Sequence, residues 1–502
     1  MKNLGVVLAF AMILSAVAQT NPTLEATNTV AGGRKMSMQD CIASALAHNF
    51  DVQIQRYDPE IALYNLRASY GGYDPTLNFS GSHNFDVQPG GYYDGLQLPS
   101  ETLKDDTFNT SIGGELPLTG LQYAFVGNIN QQHFDAFTNA TRNSAGSIGV
   151  QLTQPLLKNF WIDSTRLTVL VGRNRLHYNQ QQFRGQLITS ITAVENAYYE
   201  LIYALENVKV QQEALDLSQT QLDQDKQRMQ IGTLAQLSVE QDQSEVAQNQ
   251  ANLISAQSLL ETDQNVLKNL ITDNYSSWQP VDIQPSETLA APLVLFNLED
   301  SWSRGMTERP DLLQARLNME QQGIQLKYDY NQLFPELNVT GTYGWNGVGD
   351  VYNQTFGQIN QGNAPYYSYG VQLSMPLANQ NARNQYKSGK ATLKQLVLEL
   401  KQLEQSVLVG IDNAVKTAQS DYESVQATRQ ARVYAEAALD AEQKTYAVGK
   451  ATTFEVLTYQ NNLTIARLQE IRALANYEES LTALDQQEGS TLDKLGINIE
   501  LN

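Results

Sequence analysis

Between Ser164 and Gln230 apolar residues recur in steps of four and three: Leu187, Ile191, Val194, Tyr198, Leu201, Leu205 and Val208. No proline interrupts this stretch, and only Gly172 and Gly185 dilute it. A 3.5-residue period belongs to a helix that winds left-handedly around a neighbour. At this span the helix is roughly 100 Å long. The heptad continues at Leu215, Leu222 and Met229, but the alternate seam positions become Gln212, Gln219 and Lys226, which predicts looser or wetter packing there. Gly232 then marks a turn, and a returning helix is expected from about Leu237 to Ile271. The pattern reappears at Leu408, Ile411, Val415, Ala418, Tyr422, Val425, Leu439 and Tyr446, ahead of Gly449.

Shorter elements precede each long helix. A helix is expected from Ser37 to Tyr70, ended by Gly71, Gly72 and Pro75, and kinked or split at Pro59. Leu77 to Asn84 alternates loosely, as a strand does. Residues 86–105, rich in Gly, Tyr, Pro and Asp, read as a loop. Phe108 to Leu118 and Leu121 to Gln131, joined at Thr119-Gly120, read as an added hairpin. A strand from Ser147 to Thr153 stops at Pro155. In the second half the strands are Leu337 to Trp345 and Tyr367 to Ser374, with a polar loop between them.

The two halves repeat one another. Asp51, Arg56, Glu60, Leu66, Tyr70, Pro75, Leu77, Asn78 and Gly81 recur as Asp311, Arg316, Glu320, Leu326, Tyr330, Pro335, Leu337, Asn338 and Gly341, a shift of 260. The block Gly149 to Leu156 recurs as Gly370 to Leu377 at a shift of 221, so the first half carries about 39 more residues between these blocks. Gly232 with Val239 answers Gly449 with Val456. Ordered blocks of this kind indicate duplication. The expected segments are 1–18, a signal peptide; 37–271, the first repeat, with its extra hairpin near 108–131; 272–304, a linker; 305–487, the second repeat; and 488–502, a tail.

Helix lengths and strand number suggest an assembly. In each half two shorter helices stacked end to end match one long helix, with strands at one end and the glycine turn at the other. Four core strands per chain cannot close a barrel around a channel. Open sheet edges are not tolerated in lipid, so several chains must share the barrel.

The N-terminus reads as an export signal: Lys2, an apolar run from Leu4 to Val17, and Ala16-Val17-Ala18 before Gln19. Cys41 lies well beyond that site and forms no lipoprotein signal. The composition narrows the partners and the chemistry. The 502 residues carry a formal net charge of −20, which argues against a nucleic-acid partner. One cysteine and four dispersed histidines (His48, His83, His133 and His177) offer no metal site, and no cofactor is expected. Gly-x-Ser-x-Gly, His-Glu-x-x-His and a complete phosphate loop are all absent, so no enzyme is expected.

The export signal, the duplicated halves, the block Gly149 to Leu156 ahead of a long helix, and Gly449 followed by Val456 together resemble the TolC-like outer membrane efflux proteins, over about residues 37–487. The resemblance implies a mainly α fold with membrane β: duplicated coiled-coil hairpins forming a trimeric α-helical tunnel in the periplasm, and a shared barrel in the cell outer membrane. It implies a passive exit duct of tripartite efflux or type I secretion. The partners would be two further copies in a homotrimer, a periplasmic adaptor (membrane fusion) protein, an inner-membrane transporter and outer-membrane lipid. Residues 272–304 would then form the equatorial linker at the tunnel's waist. The alternative is an exported coiled-coil scaffold without channel activity.

In that family the periplasmic end is closed near the second turn by a Tyr before the glycine, an Arg after it and two Asp on the next helix. Tyr446 matches the Tyr and Glu455 the first Asp. Ala451 stands at the Arg position, Thr458 at the second Asp, and Leu237 and Ser238 replace a Thr-Asp pair in the first half. The resemblance thus implies a gate at Tyr446, Glu455, Thr458, Leu237 and Ser238 with most of its ion pairs missing. Glu455 either forms an acidic ring, one per chain, or is a solvated helix residue. The turns Gly232-Thr233 and Gly449-Lys450, farthest from the strands, are the expected adaptor-docking surface.

Overall fold

The computed structural model describes residues 33–135 and 140–497. The expected signal peptide and the end of the tail lie outside the described residues. In chain order come β1 (Arg34–Met36), α1 (Met38–His48), α2 (Phe50–Ser69), β2 (Thr76–Gln88), a small ribbon of β3 (Tyr92–Tyr93) and β4 (Leu96–Gln97), β5 (Glu101–Glu115), β6 (Gln122–Asp135) and β7 (Ala140–Pro155). The first long hairpin is α3 (Ser164–Gln230) with α4 (Gln236–Ile271). Then follow α5 (Tyr275–Trp278), β8 (Ile283–Pro285), α6 (Leu298–Glu308), α7 (Pro310–Asn331), β9 (Glu336–Gly349), α8 (Tyr352–Gln361) and β10 (Pro365–Ser374). The second long hairpin is α9 (Gln380–Ala447) with α10 (Thr453–Glu488), closed by α11 (Thr491–Lys494).

Each long helix is lined by two shorter ones: α3 by α2 near the strands and α4 toward the turn, α9 by α7 and α10 in the same way. The Asp163 side chain accepts from the Arg166 N–H at 2.8 Å and caps the start of α3. The seam then buries Leu187, Ile191, Val194, Tyr198 and Leu201. Toward the turn the alternate seam positions are Gln211, Ser218 and Asp225, all buried, one residue before the expected Gln212, Gln219 and Lys226. The first short helix does not break at Pro59, which lies within α2. It breaks at Asn49, whose extended backbone ends α1 and whose side-chain oxygen accepts from the N–H groups of Asp51 and Val52 at 2.9 and 3.2 Å. Arg309 and Pro310 make the matching break between α6 and α7. α6 is α1 displaced by the repeat shift of 260, and it straddles the expected start of the second repeat at 305.

Six strands form one antiparallel sheet in the order β10-β9-β7-β6-β5-β2. The added hairpin is longer than the sequence suggested. β5 and β6 reach Glu101 and Asp135, pair along their lengths, and separate β2 from β7 inside the sheet. Much of the expected loop 86–105 is thus strand, and α8 occupies what read as a polar loop. Residues directly opposite across antiparallel strands share a face. The register puts Leu77, Phe79, Phe108, Ile112, Phe125, Ile148, Tyr343, Tyr367, Val371 and Leu373 on one face, all of them exposed. The other face carries Asn78, Ser80, Asn109, Ser111, Asn128, Gln151, Thr340, Thr342 and Gln372. The sheet thus presents one apolar and one polar surface, and its edges β2 and β10 are unpaired among the described residues.

A strap crosses the helices at mid-height. β1 and β8 pair in parallel. The Tyr198 hydroxyl on α3 lies 3.0 Å from the Met36 carbonyl oxygen, beside the Glu287 carboxylate, and accepts from the Ser286 N–H at 3.2 Å. On α10 the Tyr477 hydroxyl donates to the Pro292 carbonyl oxygen at 2.7 Å. Met36, Ile283, Leu267, Ile271 and Leu492 pack with the α3 seam into the main core.

Candidate functional site

The ends of the two long hairpins share one construction. Gly232 and Gly449 adopt φ of +78° and +74°, where L side chains are strained. The Thr233 N–H donates to the Arg228 carbonyl oxygen at 2.9 Å, and the Lys450 N–H to that of Thr445 at 3.1 Å. This pattern closes the last open carbonyls of a helix. A Cβ at either glycine would meet nothing within 4 Å, so the requirement is purely conformational. Around each glycine sits the same pair of exposed apolar residues: Ile231 and Leu237 at the first turn, Val448 and Phe454 at the second.

Just above the turns a buried polar cluster joins the hairpins. The Tyr446 hydroxyl at the end of α9 lies 2.8 and 2.7 Å from the two carboxylate oxygens of Asp225 on α3, and 3.0 Å from Thr453 Oγ1. Gln221 Nε2 donates to Asp225 Oδ2 at 2.9 Å. The Arg228 guanidinium stands 3.7 Å from Asp225 Oδ1 and 4.6 Å from the centre of the Tyr446 ring. Burial raises the Tyr446 phenol above its ordinary pKa, and the adjacent Asp225 adds to that rise. Asp242 on α4 is fully buried beside this cluster, and neither carboxylate oxygen has a hydrogen-bond partner among the described residues. Burial, and then repulsion from Asp225, push the Asp242 carboxyl up to about 7. Asp242 therefore holds its proton up to near neutrality.

The structure thus brings Tyr446 into a cluster and leaves the other expected gate residues apart from it. Glu455 is exposed. Its carboxylate turns back to accept from the Thr452 N–H at 2.7 Å, while Thr452 Oγ1 accepts from the Glu455 N–H, a reciprocal cap at the start of α10. These bonds hold the Glu455 carboxyl below its ordinary pKa. Thr458 donates to the Phe454 carbonyl oxygen at 2.8 Å on an exposed face. Leu237 is exposed and Ser238 half-buried. Thr233 and Lys450 are exposed beside their glycines. Asp225, Asp242 and Arg228 were missed in the sequence. Their signal was an acid on the heptad three residues after Leu222, hidden by a seam taken one residue too late.

No group of three or more His, Cys, Asp or Glu able to hold a metal occurs among the described residues. No described helix is long and apolar enough to cross a membrane. The sequence profile of the family described as "outer membrane efflux protein" matches residues 41–272 and 304–490. The outer membrane protein TolC of Escherichia coli (strain K12) is 24% identical over 345 residues, 68% of this chain and 68% of that protein. The outer membrane efflux protein BepC of Brucella suis biovar 1 is 21% identical over 361 residues, 71% of this chain and 75% of that one. The crystal structure of the outer membrane protein VceC of Vibrio cholerae superimposes with a TM-score of 0.66 at 17% identity, covering 90% of this chain and 96% of that one. The chain therefore belongs to the outer membrane efflux protein family, a channel protein of the outer membrane with its helical hairpins in the periplasm, and not an enzyme.

Proposed function

We propose that three copies of this chain form the passive exit duct of a tripartite efflux or type I secretion system. The observation that carries the reading is the sheet: six strands, one apolar face, one polar face and two unpaired edges. Such a sheet is stable in lipid only when its edges are closed. Pairing β2 of one copy with β10 of the next would close three sheets into a barrel of about eighteen strands, wide enough for an aqueous lumen. The polar face would line that lumen and the apolar face would meet lipid.

The periplasmic end would be held shut by Tyr446 with Asp225, Asp242 and Arg228. Glu455, Thr458, Leu237 and Ser238 would lie around this closure. The turns at Gly232-Thr233 and Gly449-Lys450 would receive the adaptor. Ile231, Leu237, Val448 and Phe454 give that surface apolar anchors of the kind that carry binding energy at interfaces, and an inner-membrane transporter would act with the adaptor. The test is mass in detergent with conductance in planar bilayers. A trimer with a discrete conductance is expected, and a stable monomer or a poreless trimer would overturn the reading.

A further inference from the structure

The outward face of the sheet changes character along its length. On β6 it runs Tyr123, Phe125, Gly127, Ile129, then Gln131, His133 and Asp135. At the end of the apolar stretch α8 lies on this face: a Cβ at Gly347 would collide with Thr355 and Ile359 of α8. Its residues Tyr352, Phe356 and Ile359 form one stripe above Phe108, Ile129 and Ile148. Between helix and sheet runs a groove of about 520 Å³ with an almost wholly apolar lining. The hydroxyl of Tyr352, which lines the groove, is buried and has no hydrogen-bond partner among the described residues.

Beyond it the face becomes charged. Lys104, His133 and Arg142 stand directly opposite one another on three neighbouring strands. Lys104 and Arg142, on either side of His133, are the fixed positive charges of this row. The carboxylates on this face are already engaged: Asp106 lies 2.6 Å from His83, and Asp135 lies 3.1 Å from His133. Lys104 lies 5.9 Å from the Phe85 ring centre, and Arg142 Nε donates to His133 Nδ1 at 3.3 Å. Neither has a carboxylate in ion-pair range among the described residues. Lys104 is four residues past Phe108, about 13 Å along the strand. That is a distance suited to a headgroup above an acyl chain.

We propose that this face is a binding site for a phosphorylated glycolipid of the outer leaflet. An acyl chain fills the groove between α8 and the sheet. The linkage oxygens of the lipid meet the Tyr352 hydroxyl, and its phosphate sits on Lys104 and Arg142. The proposal rests on the reading that the apolar face meets lipid.

The experiment titrates diphosphoryl lipid A against the full-length detergent-solubilised protein and counts bound lipid by native mass spectrometry. The wild type should retain one lipid per chain. K104E/R142E should weaken retention on the order of tenfold or more, since two charge-assisted contacts are reversed. F356A should weaken it without touching the charges, and dephosphorylated lipid A should bind wild type as poorly as diphosphoryl lipid A binds the charge variant. Inorganic phosphate in millimolar excess should not displace the lipid. Equal retention by wild type and both variants would overturn the site. Displacement by phosphate alone would reassign it to a free anion, and a disulfide between copies through F356C would reassign the groove to a second copy. Conductance of the same preparations separates the two readings, because a failed lipid site leaves the pore intact whereas a failed channel reading removes the pore from wild type as well.

Discussion

The hydroxyl of Tyr446 bridges both carboxylate oxygens of Asp225, at 2.8 and 2.7 Å, and so ties the end of one long helix to the end of the other. Asp225 is fully buried, so removing the phenolic donor leaves a charge under-solvated. Tyr446→Phe should cost about 1–3 kcal/mol at this end of the molecule. Hydrogen exchange at the ends of α3 and α9 should accelerate, and open probability in bilayers should rise, with the sheet unaffected. Unchanged exchange there would show that Gln221 and Arg228 suffice to hold Asp225.

The neighbouring Asp242 makes the same region sensitive to pH. Its carboxyl is raised on folding, from 3.8 to about 7. A carboxyl raised in the folded state contributes stability that is fully present below the unfolded value and is lost as pH rises through the folded one. The turn end should therefore be more protected from exchange at pH 6 than at pH 8. Asp242→Asn should flatten that dependence, with the amide standing in for the protonated acid. A dependence that survives in this variant would have to come from another group, and Glu245, also raised by burial, is the first to replace.

Gly449 is held at φ +74° with open space around it. Gly449→Ala should cost about 1–2 kcal/mol of local strain, and Gly449→Asn less, because Asn visits this region more readily. Efflux by cells carrying Gly449→Ala should fall while the trimer yield stays normal. Full efflux at normal protein level would separate the turn's shape from adaptor docking.

Glu455 is bonded to Thr452, so its charge is committed to the start of α10. Glu455→Gln should change cation selectivity and divalent block little, because glutamine can close the same reciprocal cap. Reversal potentials of wild type and variant in bilayers measure this directly. A large loss of cation preference would restore the acidic ring.

The hairpin β5–β6 lies between β2 and β7, the two strands that match β9 and β10 of the second half. Joining Gln88 to Ala140 should let β2 and β7 pair directly. The trimer should persist with a narrower barrel of about twelve strands and a smaller conductance. Loss of all assembly would mean that the inserted strands are required for closure itself.

The first long helix was legible almost to the residue because its signals are local: a stretch free of proline, a heptad of apolar positions, and a glycine past the end. The strands were legible as sites but not in length. Their apolar face contains Gly81, Gly127, Gly146 and Gly347, which interrupt the alternation, and its far end is charged like a loop. Pro59 drew the expected break away from Asn49, where a side-chain cap had more to offer the backbone. At the turns Tyr446 was found because it resembles a family position. Asp225 and Asp242 were not, because near-continuous polar sequence hides a one-residue shift of seam.

The strap that ties Tyr198 and Tyr477 to the linker backbone fixes each hairpin partway along its length. From Tyr198 to Gly232 is about 50 Å of helix, and from Tyr477 back to Gly449 about 40 Å. Each hairpin is therefore a cantilever clamped at the strap. A tilt of about 5° about the clamp carries a tip through roughly 4 Å over that length. Separating Tyr446 from Asp225 would free the tips to tilt about the clamp while the sheet beyond it stays still.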